Sequence, residues 1–336
     1  GDTIRVGPGE FQGPVQVIDD QTNLTIRSAA GPENTVINAT DGSARSTPSF
    51  NAQAVRISVD GVTIDGFNIV GDDTIVSGVF VAGGDGGGDN VRVVNNIIEG
   101  MSRPGFGGPS DNSAGIVTAA FGGGDPEVVD GFVARNNTIR DIGSNAKKPN
   151  NPDDGTRAQG ISLIDIAGDT AGDGAVIENN TISGLAGQDT TRGIAVQPLD
   201  RPIKNGPNLA PGVDVQDNDV SGADVGLSLG DSGGLNIADN EFSNNDVSVE
   251  DGSEAVDLDT VLQDNTFDRA VTIEDDAGNI TGSSIFGAIQ PAVDNAEPGQ
   301  VVEADPGTYD ESVDISTRNV TLLGPNGGTP GDASRG

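Results

Sequence analysis

The sequence predicts an all-β chain wound as a right-handed parallel β-helix, a solenoid with loop insertions. Three observations lead there. The first is a motif: apolar, any, apolar, two polar, Asn, any, apolar. It reads Val91-Arg-Val-Val-Asn-Asn96-Ile-Ile98 and Val213-Asp-Val-Gln-Asp-Asn218-Asp-Val220, and it returns at Phe132 to Ile139, Val176 to Gly184, Leu235 to Phe242 and Leu262 to Phe267. The second is its spacing. From Asn96 through Asn137, Asn180, Asn218 and Asn240 to Asn265 the steps are 41, 43, 38, 22 and 25 residues, so the short steps give the bare unit and the long ones add loops. The third is a second apolar element after each Asn turn: Gly78-Val-Phe-Val81, Gly115-Ile-Val-Thr118, Gly160-Ile-Ser-Leu163, Gly193-Ile-Ala-Val196 and Gly226-Leu-Ser-Leu229.

Each observation has a physical reading. Alternation with period two buries one face of a strand. Asn before a corner supplies a left-handed or side-chain-bonded turn. A unit this short cannot bury its apolar side alone, and stacked copies make one continuous core. Three short strands with three corners complete a coil, and the recurring Asn residues then stack as a hydrogen-bonded ladder at one corner. Val62 to Gly71 is a variant of the unit with Phe67 in the Asn place. A β-propeller blade needs about 40 residues, more than the bare step, and a leucine-rich solenoid needs regular Leu that the chain lacks.

In chain order, residues 1–40 offer strands at Thr3–Val6, Val15–Ile18, Leu24–Ile26 and Val36–Ile37, separated by turn residues. Residues 41–54 read as a polar loop, and regular coils begin at Val55. Inserts rich in Gly, Pro, Asp and Asn fall at 101–114, 122–128, 143–158, 166–174 and 198–211, along defined sides of the solenoid, where loops on a rigid scaffold carry function. After about residue 212 the coils are plain. The β-helix is expected over 1–282, and 283–336 reads as a capping or opening segment of a second β-helix unit or as an inter-subunit connector. Ile285 to Gly299 predicts a short helix with Pro291 at its first position and Ile289, Val293 and Ala296 on one face.

The composition narrows the function. The chain has 336 residues, 51 of them Gly, with only 3% aromatic residues, which suits corners around a narrow core. There are 52 acidic residues against 17 basic ones, a net charge of −35, and the only lysines are Lys147, Lys148 and Lys204. No basic stripe exists to meet nucleic acid. No apolar run is long enough to span a membrane directly. With no His and no Cys, the commonest acid–base group and the soft-metal ligands are both missing.

The repeats resemble those of the pectate-lyase-like right-handed parallel β-helix superfamily over nearly the whole chain. That resemblance implies the fold, and it leaves function open, because the fold carries lyases, hydrolases, epimerases, tailspikes and structural proteins. Were the chain similar to the pectate lyases in activity, the resemblance would imply Asp-bound calcium on a coil face with an Arg as base. Here Arg92, Arg135 and Arg140 lie near the Asn strands, and Asp217 and Asp239 occupy similar coil positions, but none carries a lyase motif. They read more simply as outward residues of strands and turns. Sugar clefts use aromatic platforms, and this chain has no Trp and one Tyr. The acidic, lysine-poor composition resembles that of extreme halophiles, of haloarchaeal type, in which salt screens a carboxylate surface.

The favoured function is a non-catalytic extracellular structural or adhesive protein, either a head-to-tail assembling filament or a tandem-domain surface protein of a halophile. The alternative is a secreted polysaccharide lyase, glycoside hydrolase or epimerase acting on acidic glycans. No cofactor is expected; weak calcium binding at Asp-rich turns is the one exception left open, because hard cations want several oxygens. Gly83 to Asn90 is similar to a calcium-binding nonapeptide repeat, but it is a single copy with its Asp out of register and reads as a flexible loop. Sequons at Asn23, Asn38, Asn136, Asn179, Asn279 and Asn319 are candidate glycosylation sites if the protein is exported. The expected partners are copies of the chain itself, head to tail, with surface glycans second. Gly1 to Phe11 aligns with Gly299 to Tyr309, and Asn23-Leu-Thr-Ile26 with Asn319-Val-Thr-Leu322. In the superfamily a segment similar to "AIQPAVDNAEPG" opens a β-helix, and here it stands near the C-terminus. Ile285, Phe286, Ile289, Val293, Val301, Val302 and Tyr309 are therefore the expected assembly residues.

Overall fold

A computed structural model describes residues 1–18, 20–40, 52–83, 87–102, 112–120, 129–144, 157–164, 166, 174–187, 190–197, 212–230, 234–252, 256–275, 277–316 and 319–325. The chain forms a parallel β-helix. The first coil contains Thr3–Val6, Gly9–Gln12 and Val15–Val17, and these strands open three different sheets, A, B and C. Later coils repeat that order and pair parallel with the coil before, as in Arg92–Val94, Ile97–Glu99 and Asn112–Ala120. Sheet A has eight strands and ends at Asn236–Ala238; sheet B has nine and ends at Thr266–Phe267; sheet C has twelve and runs into the C-terminal segment.

The core is built of columns, because parallel stacking in register places like on like. In sheet A, Ile26, Ile64, Val93, Ala134, Ile177, Val215 and Ile237 are successive partners. In sheet B the column is Ile37, Ile69, Ile98, Ile139, Ile182, Val220, Phe242 and Phe267, and in sheet C it is Val55, Val79, Ile116, Ile161, Ile194, Leu227 and Val249. Most of these side chains are fully buried, and Phe242 stacks on Phe267 at 5.4 Å between ring centres. The glycines that open the second apolar element are there because the sheet B column leaves them no room. A Cβ on Gly160 would stand 2.4 Å from Ile182 Cγ2 and 2.5 Å from the carbonyl oxygen of Gly193.

The repeat ends differently from the sequence expectation. Leu262 to Phe267 reads as another Asn strand, but the residues before Asn265 form a helix, α1 (Leu258–Asp264). Leu258, Val261 and Leu262 turn one face toward the core at helical spacing, and the Asp257 carboxylate caps the start by accepting from the Asp259 N–H at 3.2 Å. Ser284–Phe286 then pairs antiparallel with Val247–Asp251, which ends the unbroken run of parallel strands that starts at Val15–Val17 in sheet C.

That strand is a wall between two cores. Ile285 belongs to the main core, whereas Phe286 belongs to a second one with Val271, Ile273, Ala292, Val293, Ala296, Val302 and Ala304. Val271–Glu274 pairs antiparallel with both Ser284–Phe286 and Val301–Ala304. The second core therefore begins near Val271, ahead of the boundary at 282/283 read from sequence, because Val271 and Ile273 face Ala304 and Val302 across that ladder. The helix expected after Ile285 is α2 (Ile289–Asn295), with Pro291 at its third position rather than its first. The first-turn N–H groups have no intrahelical acceptor, so proline is tolerated there too. Glu311, from beyond the helix, accepts from the N–H groups of Ile289 and Gln290 at 2.7 and 2.8 Å.

Candidate functional site

The six repeated Asn residues lie on successive coils at the corner between sheets A and B, and they are bonded to one another. Asn96 Nδ2 and backbone N–H both donate to Asn137 Oδ1, at 3.2 and 3.1 Å. Asn137 does the same to Asn180, Asn180 to Asn218, Asn218 to Asn240 and Asn240 to Asn265, at 2.9–3.0 Å. Each Nδ2 also reaches a carbonyl of the coil before, as Asn180 does at Ala134. Asn96, Asn137, Asn180, Asn218 and Asn240 are each 1% exposed, so these bonds satisfy groups that water cannot reach. Phe67 holds the corresponding place on the preceding coil, and its N–H donates to Asn96 Oδ1 at 2.9 Å.

The left-handed residue at this corner is the one before the ladder Asn. Asn95, Asn136, Asn179, Asp217 and Asp239 have φ between 54° and 58°. Their side chains are exposed, and three form an outer ladder: Asn179 Nδ2 donates to Asn136 Oδ1 at 2.6 Å, Asn136 to Asn95 at 3.0 Å, and Asn95 to Asp65 at 2.8 Å. Sequence reasoning missed Asn245, buried at the corner between sheets B and C. Its Oδ1 accepts from the Ala223 N–H and its Nδ2 donates to the Val220 carbonyl, both at 3.0 Å. The signal was present in the doublet Asn244-Asn245, which copies Asn95-Asn96.

The sequons fall in different settings. The amides of Asn136 and Asn179 are engaged in the outer ladder. Asn38 donates to Glu10 and accepts from the Thr40 N–H and hydroxyl at 3.0 and 2.7 Å. Asn279 donates to both oxygens of Asp275. Asn23 and Asn319 are exposed at left-handed turns.

The side chains considered for lyase chemistry are not gathered into one constellation. Arg135 lies on sheet A, ion-paired with Glu178 of the next coil. Arg140 lies on sheet B, 2.8 Å from Glu99, whose hydrogen bond raises the guanidinium pKa further. Arg92 is exposed on sheet A, and Asp217 and Asp239 sit at the outer corner. Among the described residues no group of three or more Asp or Glu is placed to hold a metal ion. The Gly83 to Asn90 turn lies partly outside the described residues, as does most of every long insert.

The two ends of the solenoid carry its exposed apolar groups. Among the described residues the exposed large hydrophobics are Ile4 (49%) and Phe11 (46%) in the first coil, and Ile315 (47%) and Leu322 (37%) in the C-terminal segment. The residues expected to mediate assembly are mostly internal instead. Ile285, Phe286, Val293 and Val302 are buried, Ile289 and Val301 are half-buried, and the half-buried Tyr309 hydroxyl is within reach of the Ala270 and Asp305 carbonyls. They fold back on Val271–Glu274 and supply the second core, which leaves Ile315 and Leu322 outside.

No protein-family model matches this chain, and no curated protein matches it. Among solved structures, the A-module of the mannuronan C-5 epimerase AlgE6 from Azotobacter vinelandii aligns with a TM-score of 0.36 and 18% identity, over 97% of this chain and 82% of that one. At that score the likeness adds nothing to the strand pairing described above.

Proposed function

We propose that this chain is a non-catalytic structural or adhesive protein of an extracellular surface. The observation that supports this reading is the way its outward polar side chains bond to each other from coil to coil. Arg27 meets Asp65, Glu99 holds both Arg140 and Asn68, Arg135 meets Glu178, Asn236 donates to Asp214 and Ser228 to Glu250. An Arg acting as a base must give up its proton easily, and Glu99 works against that at Arg140. The large carboxylate excess suits a surface exposed to concentrated salt. No helix among the described residues is long and apolar enough to cross a membrane.

The test is to incubate the protein with polymannuronate and polygalacturonate. Absorbance of unsaturated uronate and proton NMR of the C-5 epimer are followed, with and without calcium. The structural reading expects neither product. Turnover that an Arg92→Ala or Arg135→Ala substitution abolishes would establish the glycan-processing alternative in its place.

A further inference from the structure

We propose that the chain cleaves itself at the Asp305–Pro306 bond, the Asp305 carboxyl attacking its own main-chain carbonyl while the Tyr309 hydroxyl holds the carbonyl oxygen. This goes beyond the structural reading above and does not depend on it, because the substrate is the chain's own backbone.

Two independent observations carry it. The first is the geometry of the turn after Val301–Ala304. Residues 305–308 are exposed, so the bond is open to water. Asp305 is nonetheless held on both sides. Its N–H donates to the Ala270 carbonyl at 2.9 Å, and its carbonyl accepts from the Tyr309 hydroxyl at 3.1 Å. That carbonyl is the one joined to Pro306. The same hydroxyl lies 3.2 Å from the Ala270 carbonyl, so the phenol stands over the turn. Burial, and after it the charge of Asp305, holds the phenol above its ordinary pKa and keeps it a donor. Arg269, Asp268 and Glu311 are the other charged groups around it, and Arg269 is the cation among them. Gly307 leaves room for both partners: a Cβ there would stand 3.3 Å from Arg269 Cγ and from Tyr309 Cε2.

The second is what the matching turn lacks. The alignment of Gly1 to Phe11 with Gly299 to Tyr309 sets Gly7-Pro8-Gly9 against Asp305-Pro306-Gly307. Both turns follow a strand, Thr3–Val6 in one and Val301–Ala304 in the other. Gly7 stands in the place of Asp305 and Phe11 in that of Tyr309, so the turn needs neither the carboxyl nor the hydroxyl. Those are the two groups the chemistry requires.

The step needs no co-reactant but water. An Asp305 carboxyl oxygen bonds to the Asp305 main-chain carbon, and the oxyanion of the tetrahedral intermediate takes the Tyr309 hydrogen bond. The C–N bond to Pro306 then breaks and a cyclic anhydride is left. The electron pair stays on the proline nitrogen, which takes the carboxyl proton; as a tertiary amide it is the more basic leaving group. Water opens the anhydride, giving one chain that ends at Asp305 and one that begins at Pro306. The cut separates α2 from the Glu311 that accepts from its first N–H groups.

The experiment incubates the full chain in molar salt in mildly acidic buffer, beside the same chain in guanidinium, and follows fragments by mass spectrometry. Asp125–Pro126 is a second Asp–Pro bond and reports ordinary acid lability. Folded wild type is expected to split at 305/306 about a hundredfold faster than the denatured chain, and faster than at 125/126. Tyr309→Phe, shown by circular dichroism to be folded, should fall close to the denatured rate, and Asp305→Ala should not split there. Hydroxylamine traps an anhydride, so in its presence the wild-type fragment ending at Asp305 should carry a hydroxamate. That readout and the comparison with guanidinium need no variant. A folded wild type that splits no faster than the denatured chain, cleavage that leaves no hydroxamate, or a folded Tyr309→Phe protein that splits at the wild-type rate overturns the proposal.

Discussion

Replacing Asn180 with Ala tests the internal ladder at its middle. Asn180 Oδ1 accepts from the Asn137 N–H and Nδ2, both at 3.0 Å, and its Nδ2 donates to Ala134 O at 3.0 Å and Asn218 Oδ1 at 2.9 Å. After truncation Asn137 Nδ2 keeps the Val93 carbonyl, and Asn218 Oδ1 keeps the Asn180 N–H. The Asn137 N–H is left without an acceptor and Ala134 O loses a donor, both out of reach of water. An orphaned buried donor costs about 1–3 kcal/mol, and a lost hydrogen bond to a carbonyl about 1 kcal/mol, so the expected loss is roughly 2–4 kcal/mol. The neighbouring control is Asn179→Gly, exposed and at φ 54°, where glycine is at ease and the change is expected to stay within about 0.5 kcal/mol. Guanidinium melts followed by circular dichroism in molar salt, with amide exchange at Asn137, give both numbers. An Asn180→Ala protein as stable as wild type, or an Asn179→Gly protein that loses as much, would refute the claim that the inner ladder holds the corner.

Three further outcomes are expected. Gly160→Ala forces a Cβ to 2.4 Å from Ile182 Cγ2 and should lower stability by about 1–3 kcal/mol or more, whereas Gly222→Ala has open space around it and meets only backbone strain of about 1–2 kcal/mol; paired thermal melts compare them. Burial, with the neighbouring charge of Glu303, holds the Glu274 carboxyl above its ordinary pKa, although the Thr272 hydroxyl opposes this at 2.9 Å. A raised folded-state pKa contributes stability that is full below the unfolded value and is lost as pH rises through the folded one, so Glu274→Gln should melt higher than wild type at pH 7, with the gap closing on acidification. The melting temperature of the wild type should climb from low to molar salt, as the screening length contracts from about 10 Å at 0.1 M to about 3 Å at 1 M; a flat response would argue against carboxylate repulsion as the main destabilising force.

The repeated parts of this fold were legible because stacking makes each coil restate the same constraint. A residue that must be Asn at 1% exposure on one coil must be Asn on the next, so Asn96 to Asn240 announced their own corner. Asn265 announces it too, but the residues before it form α1 where the motif predicts a strand. The alternation around Leu262 is too short to separate period two from helical spacing, and Asp257 as a cap decides for α1. The division between the two cores was also hidden, since one strand, Ser284–Phe286, serves both by turning alternate side chains to opposite faces. The residues expected to mediate assembly are mostly internal for a related reason. A segment similar to one that opens a β-helix reads as a surface for another coil, but Val293 and Val302 share a core with Val271 and Ile273, and no repeat in the sequence marks that strand. Functional chemistry left little trace, because a polar side chain that bonds along the stack and one that faces a ligand look alike in a single sequence.

Hydrogen exchange resolved by residue, on the wild-type chain in molar salt, tests the central claim most directly. The account predicts that the ladder amides of Asn137, Asn180 and Asn218, bonded and 1% exposed, are among the slowest in the chain. The amides of the exposed strand Thr3–Val6 should exchange much faster. Ladder amides that exchange as fast as those of Thr3–Val6 would contradict it.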